Sequence, residues 1–576
     1  MEDMPAVCFW GLSWATFPRT RISDPRRRSL RIPCQRDFVA NHRLPRRNNP
    51  MGRCHTCLLT IGLTTLLASS PATSEEILSV SDIDGYLKRT LNDWQVPGIA
   101  VAIVRSDRVV FSQGLGVRET GTENPVDENT LFAIASNTKA FTAAALSMLV
   151  EEGKVKWDDP VTQYLPYFAL YDRYVTEDIR IRDLLCHRSG LGQFSGDLLW
   201  YGTSYSPKQI LSRVEHLPQS GRFGRSYNYN NLMFLAAGEV IVKVSGMSWS
   251  EFIQTRILDP LDMNRTVTST CRLAAAANVA VPHKTKSTGN VALPWYNWDN
   301  AAAVGGIISS TADMTKWVQL QLRKGSTEKG DRLFSEGSSQ EMWRPHTLIK
   351  ISDKNRKRYP STHFMAYGLG WGMRDYKGHK ILSHGGGYDG MYSRVVLVPE
   401  KDLGIVVLTN SMTSLPSVVC KHLLDEVLGG EKTDWSKLML EDFKKDRAKY
   451  DKRMLESVTP RLENTKPSLK LEQYVGTYRD VMFGDTTLEV VDEKLVLSFA
   501  INKDLVADLS HMHRDTFAIQ WRREFAWFGN GNLQFRLNNK TNVTGFELDV
   551  PNEDLWFYEM HFKRVPSIRP IGLLQE

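Results

Sequence analysis

The chain has 576 residues, 42% hydrophobic and 24% charged, the balance of a folded protein with more than one core and not of a disordered or fibrous chain. Its net charge of +7 arises almost wholly in residues 1–50, where ten Arg face four acidic residues, so the rest carries no basic surplus that would point to nucleic acid. Seven Cys are too few for a disulfide scaffold, and Cys54-His55-Thr56-Cys57 lacks the second pair a zinc site needs; the absence of His-Glu-x-x-His and Gly-x-Ser-x-Gly argues against a zincin protease and an ordinary α/β-hydrolase.

From Met51 a short positive start is followed by an apolar run, Cys57 to Ala68, then by small residues up to Ser74 and by Glu75-Glu76. That is the layout of a secretory signal, too short to span a bilayer comfortably. We expect residues 1–50 to be a disordered extension or a mis-assigned start, residues 51–74 to be a signal peptide, and the mature protein to be secreted or periplasmic. The Arg-rich, acid-poor front leaves a mitochondrial transit peptide as the alternative.

Ser79 to Asp93 predicts an amphipathic helix, with Ile83, Leu87 and Leu91 four apart, ended by Pro97-Gly98. Gly98–Val104 and Val109–Phe111 predict a hairpin across Ser106-Asp107-Arg108. After the extended, apolar Asn129–Ala135 comes Ser136-Asn137-Thr138-Lys139, at the head of a run of strong helix formers that Gly153 closes. Residues three apart share a helix face, so the Ser136 hydroxyl and the Lys139 amine can meet. The positive end of the helix dipole disfavours a further cation and favours a partly neutral Lys139, and a neutral amine beside a hydroxyl makes an activated nucleophile. Alone the pattern is weak, because composition yields about one or two such matches in a chain this long.

Trp157–Val161 begins another ordered element, and Ile179–Leu191 ends in a loop whose His187 reads as structural. Residues 192–206 hold Phe194, Leu198, Leu199, Trp200, Tyr201 and Tyr205, a density that walls a pocket or covers a core. Tyr229-Asn230-Asn231 precedes a helix over about Leu232–Val244. Tyr229 can relay a proton where nearby cations favour its phenolate, and Asn231 can orient a Lys or a substrate carbonyl; read alone, Tyr229 is a core or surface tyrosine. Gly305-Gly306 suggests close backbone approach, ahead of a helix at Trp317–Leu322. Lys380–Gly390 predicts a strand running into a glycine stretch, then successive antiparallel strands at Tyr392–Pro399 and Leu403–Thr409. Glycines let backbone N–H groups reach a substrate carbonyl, as an oxyanion hole requires; in isolation, His384-Gly385-Gly386-Gly387 reads as a flexible turn. Asp434–Val458 predicts a charged surface helix and Thr459–Pro467 a linker. Beyond it the period becomes two, at Leu495/Leu497/Phe499, Phe517/Ile519/Trp521, Leu533/Phe535/Leu537, Phe546/Leu548/Val550 and Trp556/Tyr558/Met560/Phe562, which predicts an all-β barrel or sandwich.

In this order Ser136-x-x-Lys139, Tyr229-x-Asn231, Gly305-Gly306 and His384-Gly385-Gly386 resemble the serine beta-lactamase-like family, in the class C branch with D-alanyl-D-alanine carboxypeptidases, D-aminopeptidases and related esterases. Leu184–Leu191 and Pro260–Met263 are similar to recurring family segments, and the resemblance spans about residues 78–428. It implies an α/β (α+β) fold, an antiparallel sheet flanked by helices plus a helical lobe, with the site between them. It further implies Ser136 as the acylated nucleophile, Lys139 and Tyr229 as the proton-transfer pair, and Asn231 steadying Lys139 and the substrate amide. The oxyanion hole would use the backbone N–H groups of Ser136 and Gly387, with His384, Gly385 and Gly386 beside the substrate. The implied substrate is a small molecule or peptide (an ester, a D-amino-acid peptide or a beta-lactam), with no cofactor or metal, no nucleic acid and no membrane span.

One departure matters. Beta-lactamases of this branch carry Lys-Thr-Gly where this chain has His384-Gly385-Gly386, and a neutral His lacks the fixed cation that anchors a carboxylate. The expectation therefore moves to an esterase or a D-amino-acid or D-Ala peptidase, with a genuine beta-lactamase or a non-catalytic penicillin-binding sensor or scaffold as alternatives. Tyr474-Val475-Gly476-Thr477-Tyr478 is similar to the entry of lipocalin-like domains appended to many members, for which substrate gating and passive stabilisation are both open. The expected layout is a hydrolase domain over 75–430, a charged helix and linker over 431–467 and a small β-barrel over 468–566. Asn539-Lys540-Thr541 and Asn542-Val543-Thr544 are sequons of a kind that also arises by chance.

Overall fold

The structure, a computed structural model, describes residues 80–566. The expectations for the extension, the signal peptide, Cys54 and Cys57 lie outside the described residues.

An eight-stranded antiparallel sheet organises the first part of the chain. Its strand order is Val109–Gly116, Gly98–Val104, Leu403–Thr409, Met391–Val398, His379–Tyr388, Gly372–Tyr376, Met365–Tyr367 and Thr347–Ile349. Every residue of Gly98–Val104 is buried, because alternate side chains enter two different cores. Ala100, Ala102 and Val104 face the larger core with Phe141 and Leu146, while Ile99, Val101 and Ile103 face a second one with Ile83, Leu87 and Leu423. Helices accordingly cover both faces: Thr138–Glu151, Asn231–Ser245 and Thr311–Leu322 on one, Val80–Asp93 and Leu415–Leu428 on the other. Ser310 caps the Thr311 helix by accepting from the Asp313 N–H at 3.2 Å, which starts it six residues earlier than its hydrophobic pattern predicts.

The second part is a closed barrel of eight antiparallel strands in sequence order, from Gly476–Asp480 to Phe562–Arg564, which pair with each other to close it. Aromatic rings pack along it, with centroids 5.0 Å apart for Tyr478–Phe546, 4.8 Å for Phe546–Phe562 and 4.4 Å for Tyr474–Phe535. Four of the five predicted alternations lie in or at the end of barrel strands. The fifth does not: Trp556 to Glu559 forms a loop and a short 3₁₀ turn, and the strand begins only at Phe562. Tertiary partners outweigh alternation there, because Trp556 covers Gly192, where a Cβ would come within 2.7 Å of its ring. The barrel shares a core with the sheet-and-helix part, and hydrogen bonds join the two: the Ser204 N–H donates to Ile501 O at 2.8 Å and the Asn502 side-chain Nδ2 to Tyr201 O at 2.9 Å. Among the described residues no single helix is long and apolar enough to cross a membrane.

Candidate active site

Ser136 sits in a 3₁₀ turn, Ala135–Asn137, that leads directly into the buried helix Thr138–Glu151. Ala135 before it holds φ at 46°, a left-handed conformation that costs a non-glycine residue on the order of 1 kcal/mol. The turn is tied to the sheet, since Asn137 Nδ2 donates to Ser393 Oγ at 2.8 Å and Ser393 Oγ donates to Ile134 O at 2.7 Å. Lys139, one helical turn on, is fully buried and donates from Nζ to Ser136 Oγ at 2.9 Å and to Val304 O at 3.1 Å. Burial lowers its pKa to about 7, against the opposing pull of the Asp197 charge. The Gly305-Gly306 segment thus bears on the site through Val304, whose carbonyl anchors the amine.

Tyr229 precedes the Asn231–Ser245 helix, which Asn230 caps through its side chain. Its hydroxyl is hydrogen-bonded to Ser136, and the Lys139 Nζ lies 4.9 Å from the ring centroid. Burial raises the Tyr229 pKa well above its ordinary value. Burial therefore favours the protonated hydroxyl over the phenolate that a nearby cation could favour. His187, fully buried with Nδ1 accepting from the Asn230 N–H at 3.1 Å, packs against the Tyr229 ring at 4.1 Å. Burial holds it neutral.

Asn231 is in the site but with a different partner from the one expected. Its Nδ2 donates to Asp197 Oδ2 at 2.6 Å, and its buried Oδ1 has no partner. Asp197, which no motif singled out, also accepts from Trp200 Nε1 at 3.0 Å, and burial pushes its pKa up to about 7. It sits on the apolar 192–206 loop, and Phe194, Trp200 and Tyr201 of that loop do line the cleft.

The glycines are not a turn. The strand His379–Tyr388 runs straight through them, paired with Met391–Val398 from Leu382 to Tyr388 but with Gly372–Tyr376 only as far as Ser383. Past Ser383 one edge of the strand is therefore free of a ladder partner. The hairpin closes over Asp389-Gly390, which makes Tyr388 and Met391 a hydrogen-bonded pair, so the N–H groups of Gly385 and Gly387 turn toward the free edge. Gly386 needs to be glycine, because a Cβ would lie 2.1 Å from Ile134 O. Gly386→Ala is expected to force the strand off the nucleophile turn, costing about 1–3 kcal/mol in urea unfolding with a loss of turnover. Gly385→Ala, where the nearest atom is the Arg394 Nη1 at 3.4 Å, should cost much less.

His384 is buried, with Nε2 accepting from the Tyr367 hydroxyl at 2.8 Å and Nδ1–H donating to Gly385 O at 2.6 Å. Burial and the neighbouring Lys139 lower its pKa to about 3, so it presents no charge. A fixed cation is nevertheless present. Arg394, opposite Gly385 on the adjacent strand, lines the same cleft and donates to Ser383 Oγ at 3.2 Å.

Together these residues form a cleft of about 1100 Å³, partly open to solvent, with Ser136, Tyr229, Asn231, His384 and Gly387 in its walls. Three of its lining residues, Trp527, Asp554 and Leu555, come from the barrel part of the chain. Behind them Glu559 accepts from the Gly196 N–H at 2.9 Å and from the Ser195 hydroxyl, next to Asp197. Glu559→Ala leaves that buried N–H unpaired and is expected to lower the unfolding free energy by about 1–3 kcal/mol, read by urea titration. Among the described residues no cluster of His, Cys, Asp or Glu could hold a metal ion.

The comparisons point to one family and fold. The family model described as Beta-lactamase matches residues 83–427, and a domain of unknown function, DUF3471, matches residues 460–564. A curated relative, the unguisins hydrolase ungD' of Aspergillus campestris (strain IBT 28561), is 29% identical over 73% of this chain and 80% of its own length. Protein flp of Staphylococcus aureus (strain NCTC 8325 / PS 47) is 25% identical over 64% of this chain and 70% of its own. Among solved structures, the octameric penicillin-binding protein homologue from Pyrococcus abyssi shares the fold at a TM-score of 0.55 and 21% identity, covering 84% of this chain and 100% of that one. EstCE1, titled a hydrolase with promiscuous acyltransferase activity, does so at 0.51 and 19%, covering 61% and 98%. The family model spans more than half of the sequence, and the chain belongs to the beta-lactamase family.

Proposed function

We propose that the protein is a serine hydrolase that works through an acyl-enzyme on Ser136, acting on esters or on D-amino-acid or D-alanyl peptides. The observation that carries this reading is the 2.9 Å bond between Ser136 Oγ and a buried Lys139 whose pKa is lowered to about 7, a nucleophile beside a base that is half neutral at neutral pH. Ser136 Oγ attacks the substrate carbonyl, and its proton passes to the Lys139 amine. The backbone N–H groups of Ser136 and Gly387 receive the oxyanion, where losing one such donor typically costs about 10²–10³ in rate. As the tetrahedral intermediate collapses, the leaving group takes a proton from Tyr229, held protonated by burial, and Tyr229 regains one from the protonated Lys139; water then cleaves the Ser136 ester with the same groups acting in reverse. Asn231 orients the substrate from the Asp197 side, and the neutral His384 shapes the wall beside Gly385 and Gly386 without anchoring a charge.

The relatives' names favour this class: one is a hydrolase of unguisins, and the fold is shared with EstCE1, a hydrolase. A second reading, a genuine beta-lactamase, draws on Arg394, which places a permanent cation on the cleft wall although the family's Lys is replaced by His384. One assay panel separates them: aryl esters, D-amino-acid anilides, D-alanyl-D-alanine peptides and a chromogenic cephalosporin, each with wild type and Ser136→Ala. Ester or anilide turnover that exceeds cephalosporin turnover supports the proposal. Dominant cephalosporin turnover supports the second reading, and activity indifferent to Ser136→Ala ends both.

A further inference from the structure

The open edge beside the nucleophile offers Gly385 and Gly387, and Gly385 is already engaged. The strand Gly372–Tyr376 leaves this edge at Gly372. Just ahead of it Gly370 takes φ 76° and gives its N–H to Leu185 O at 3.2 Å, which leads the chain away. Past Ser383 the alternation of the ladder turns the N–H and C=O groups of Gly385 and Gly387 outward, and both residues are part-exposed while Gly386 between them is buried.

Gly385 O accepts from His384 Nδ1–H at 2.6 Å. Paired strands lie about 4.8 Å apart, so a ring this close stands inside the space that a paired backbone would fill. The ring is held in place. Its Nε2 accepts from the Tyr367 hydroxyl at 2.8 Å, and Tyr367, fully buried, packs edge-on against His187 with ring centroids 4.5 Å apart. The Tyr367 bond fixes the tautomer with the proton on Nδ1, the nitrogen that faces the carbonyl. Burial and the Lys139 charge keep the ring neutral, so it has one N–H, and that N–H goes to Gly385 O. Both ring nitrogens are therefore used within the protein. His384 does for Gly385 what a neighbouring strand does elsewhere in the sheet. Gly387, in contrast, keeps its N–H and C=O without a partner among the described residues.

Every pair of neighbours in this sheet is antiparallel. A substrate laid on the edge in that sense, with its scissile carbonyl at the Gly387 N–H, brings the second residue of its leaving group opposite Gly385. The N–H of that residue would be the natural partner of Gly385 O. We infer that His384, held by Tyr367, caps the edge at this carbonyl, so that strand-type recognition stops at Gly387 and a leaving group is recognised no further than its first residue. The inference deepens the serine hydrolase reading and rests on it, making His384 and Tyr367 determinants of leaving-group length.

Methylation of the N–H in question tests the cap. The substrates are two esters, N-acetyl-D-alanyl-D-lactoyl-glycine and its sarcosine counterpart, with release of N-acetyl-D-alanine as the readout. Wild type should turn them over within about twofold of each other, whereas His384→Ala, which frees Gly385 O, should favour the glycine ester in kcat/KM by about fivefold, the worth of one hydrogen bond. His384→Asn, whose Nδ2 can donate to Gly385 O in place of Nδ1, should restore the wild-type ratio. Tyr367→Phe releases the ring without opening a large cavity and should move the ratio toward that of His384→Ala; it decides the question where His384→Ala does not fold. Each ratio is taken within one protein, so the folded fraction cancels. Titration of Ser136→Ala protein with N-acetyl-D-alanyl-D-alanyl-glycinamide and its sarcosinamide analogue gives a readout free of catalysis. The two should bind alike, and adding His384→Ala should make the glycinamide the tighter ligand by about fivefold. A wild type that already prefers the glycine ester, or a His384→Ala protein without that preference, overturns the cap and leaves the serine hydrolase standing. Turnover that survives Ser136→Ala, or that is absent for every ester, overturns the hydrolase reading. The titration then judges the cap by itself, and a lack of preference or of binding in the double variant overturns it.

Discussion

Ser136→Ala is expected to remove turnover, lowering kcat/KM by about 10⁴-fold or more for every substrate the wild type hydrolyses. The reason is local. Ser136 Oγ is the atom that Lys139 Nζ and the Tyr229 hydroxyl both meet, so its loss leaves a base and an acid with no nucleophile between them. The side chain is small and sits at a turn held by Asn137, Ser393 and Ile134, so the fold should survive and the melting temperature should move little. Intact-mass measurement after incubation with a reactive aryl ester provides the direct check. Wild type should gain the mass of one acyl group, and Ser136→Ala should gain none. An acyl adduct on the variant would place the nucleophile elsewhere.

The second large effect is on pH. Burial lowers the Lys139 pKa to about 7, so the neutral amine that can accept the Ser136 proton is scarce below that value and abundant above it. The kcat/KM should therefore rise with pH along a limb centred near 7, and Lys139→Met should abolish the limb together with about 10³-fold or more of the activity. Tyr229 is shifted the other way, well above its ordinary value, so no descending limb from loss of its proton is expected in a workable assay range. The Asp197 charge works against burial and raises the Lys139 pKa. Asp197→Asn removes that pull, so the limb should move to lower pH. Because Asp197 itself titrates near 7, the observed midpoint belongs to the pair and not to Lys139 alone. A limb that stays put in Asp197→Asn would mean that the two groups do not communicate, and a profile flat from pH 5 to 9 would remove Lys139 as the base.

The two parts of the chain meet where function is proposed. The barrel contributes Trp527, Asp554 and Leu555 to the cleft, and Glu559 fastens the loop that carries Asp197. Its own interior is packed with aromatic rings.

Much of the candidate site is legible in the sequence because it is governed by local geometry. Ser136 and Lys139 stand three apart at a helix start, so helical periodicity alone brings hydroxyl and amine together. Buried strands such as Gly98–Val104 announce themselves by unbroken β-branched and small residues, and the barrel strands by alternation. The order of four short motifs was enough to identify a family fold. Other features were hidden because local pattern does not encode them. The His384–Gly387 run looks like a flexible turn until neighbours on one side pair with it and the other edge stays open. Trp556 to Met560 alternates like a strand, yet Glu559 and Trp556 find stronger partners at Ser195, Gly196 and Gly192. Asp197, Arg394, Asp554 and Glu559 look in the sequence like any of the chain's surface charges, since a single charged residue carries no periodic mark of burial. Local sequence therefore determined the meeting of Ser136 with Lys139 and the strands that carry Gly385 to Gly387, through short-range helix and sheet geometry. Only the tertiary structure decided which polar side chains line the cleft, because they come from segments as far apart as Asp197 and Asp554, which folding alone brings together.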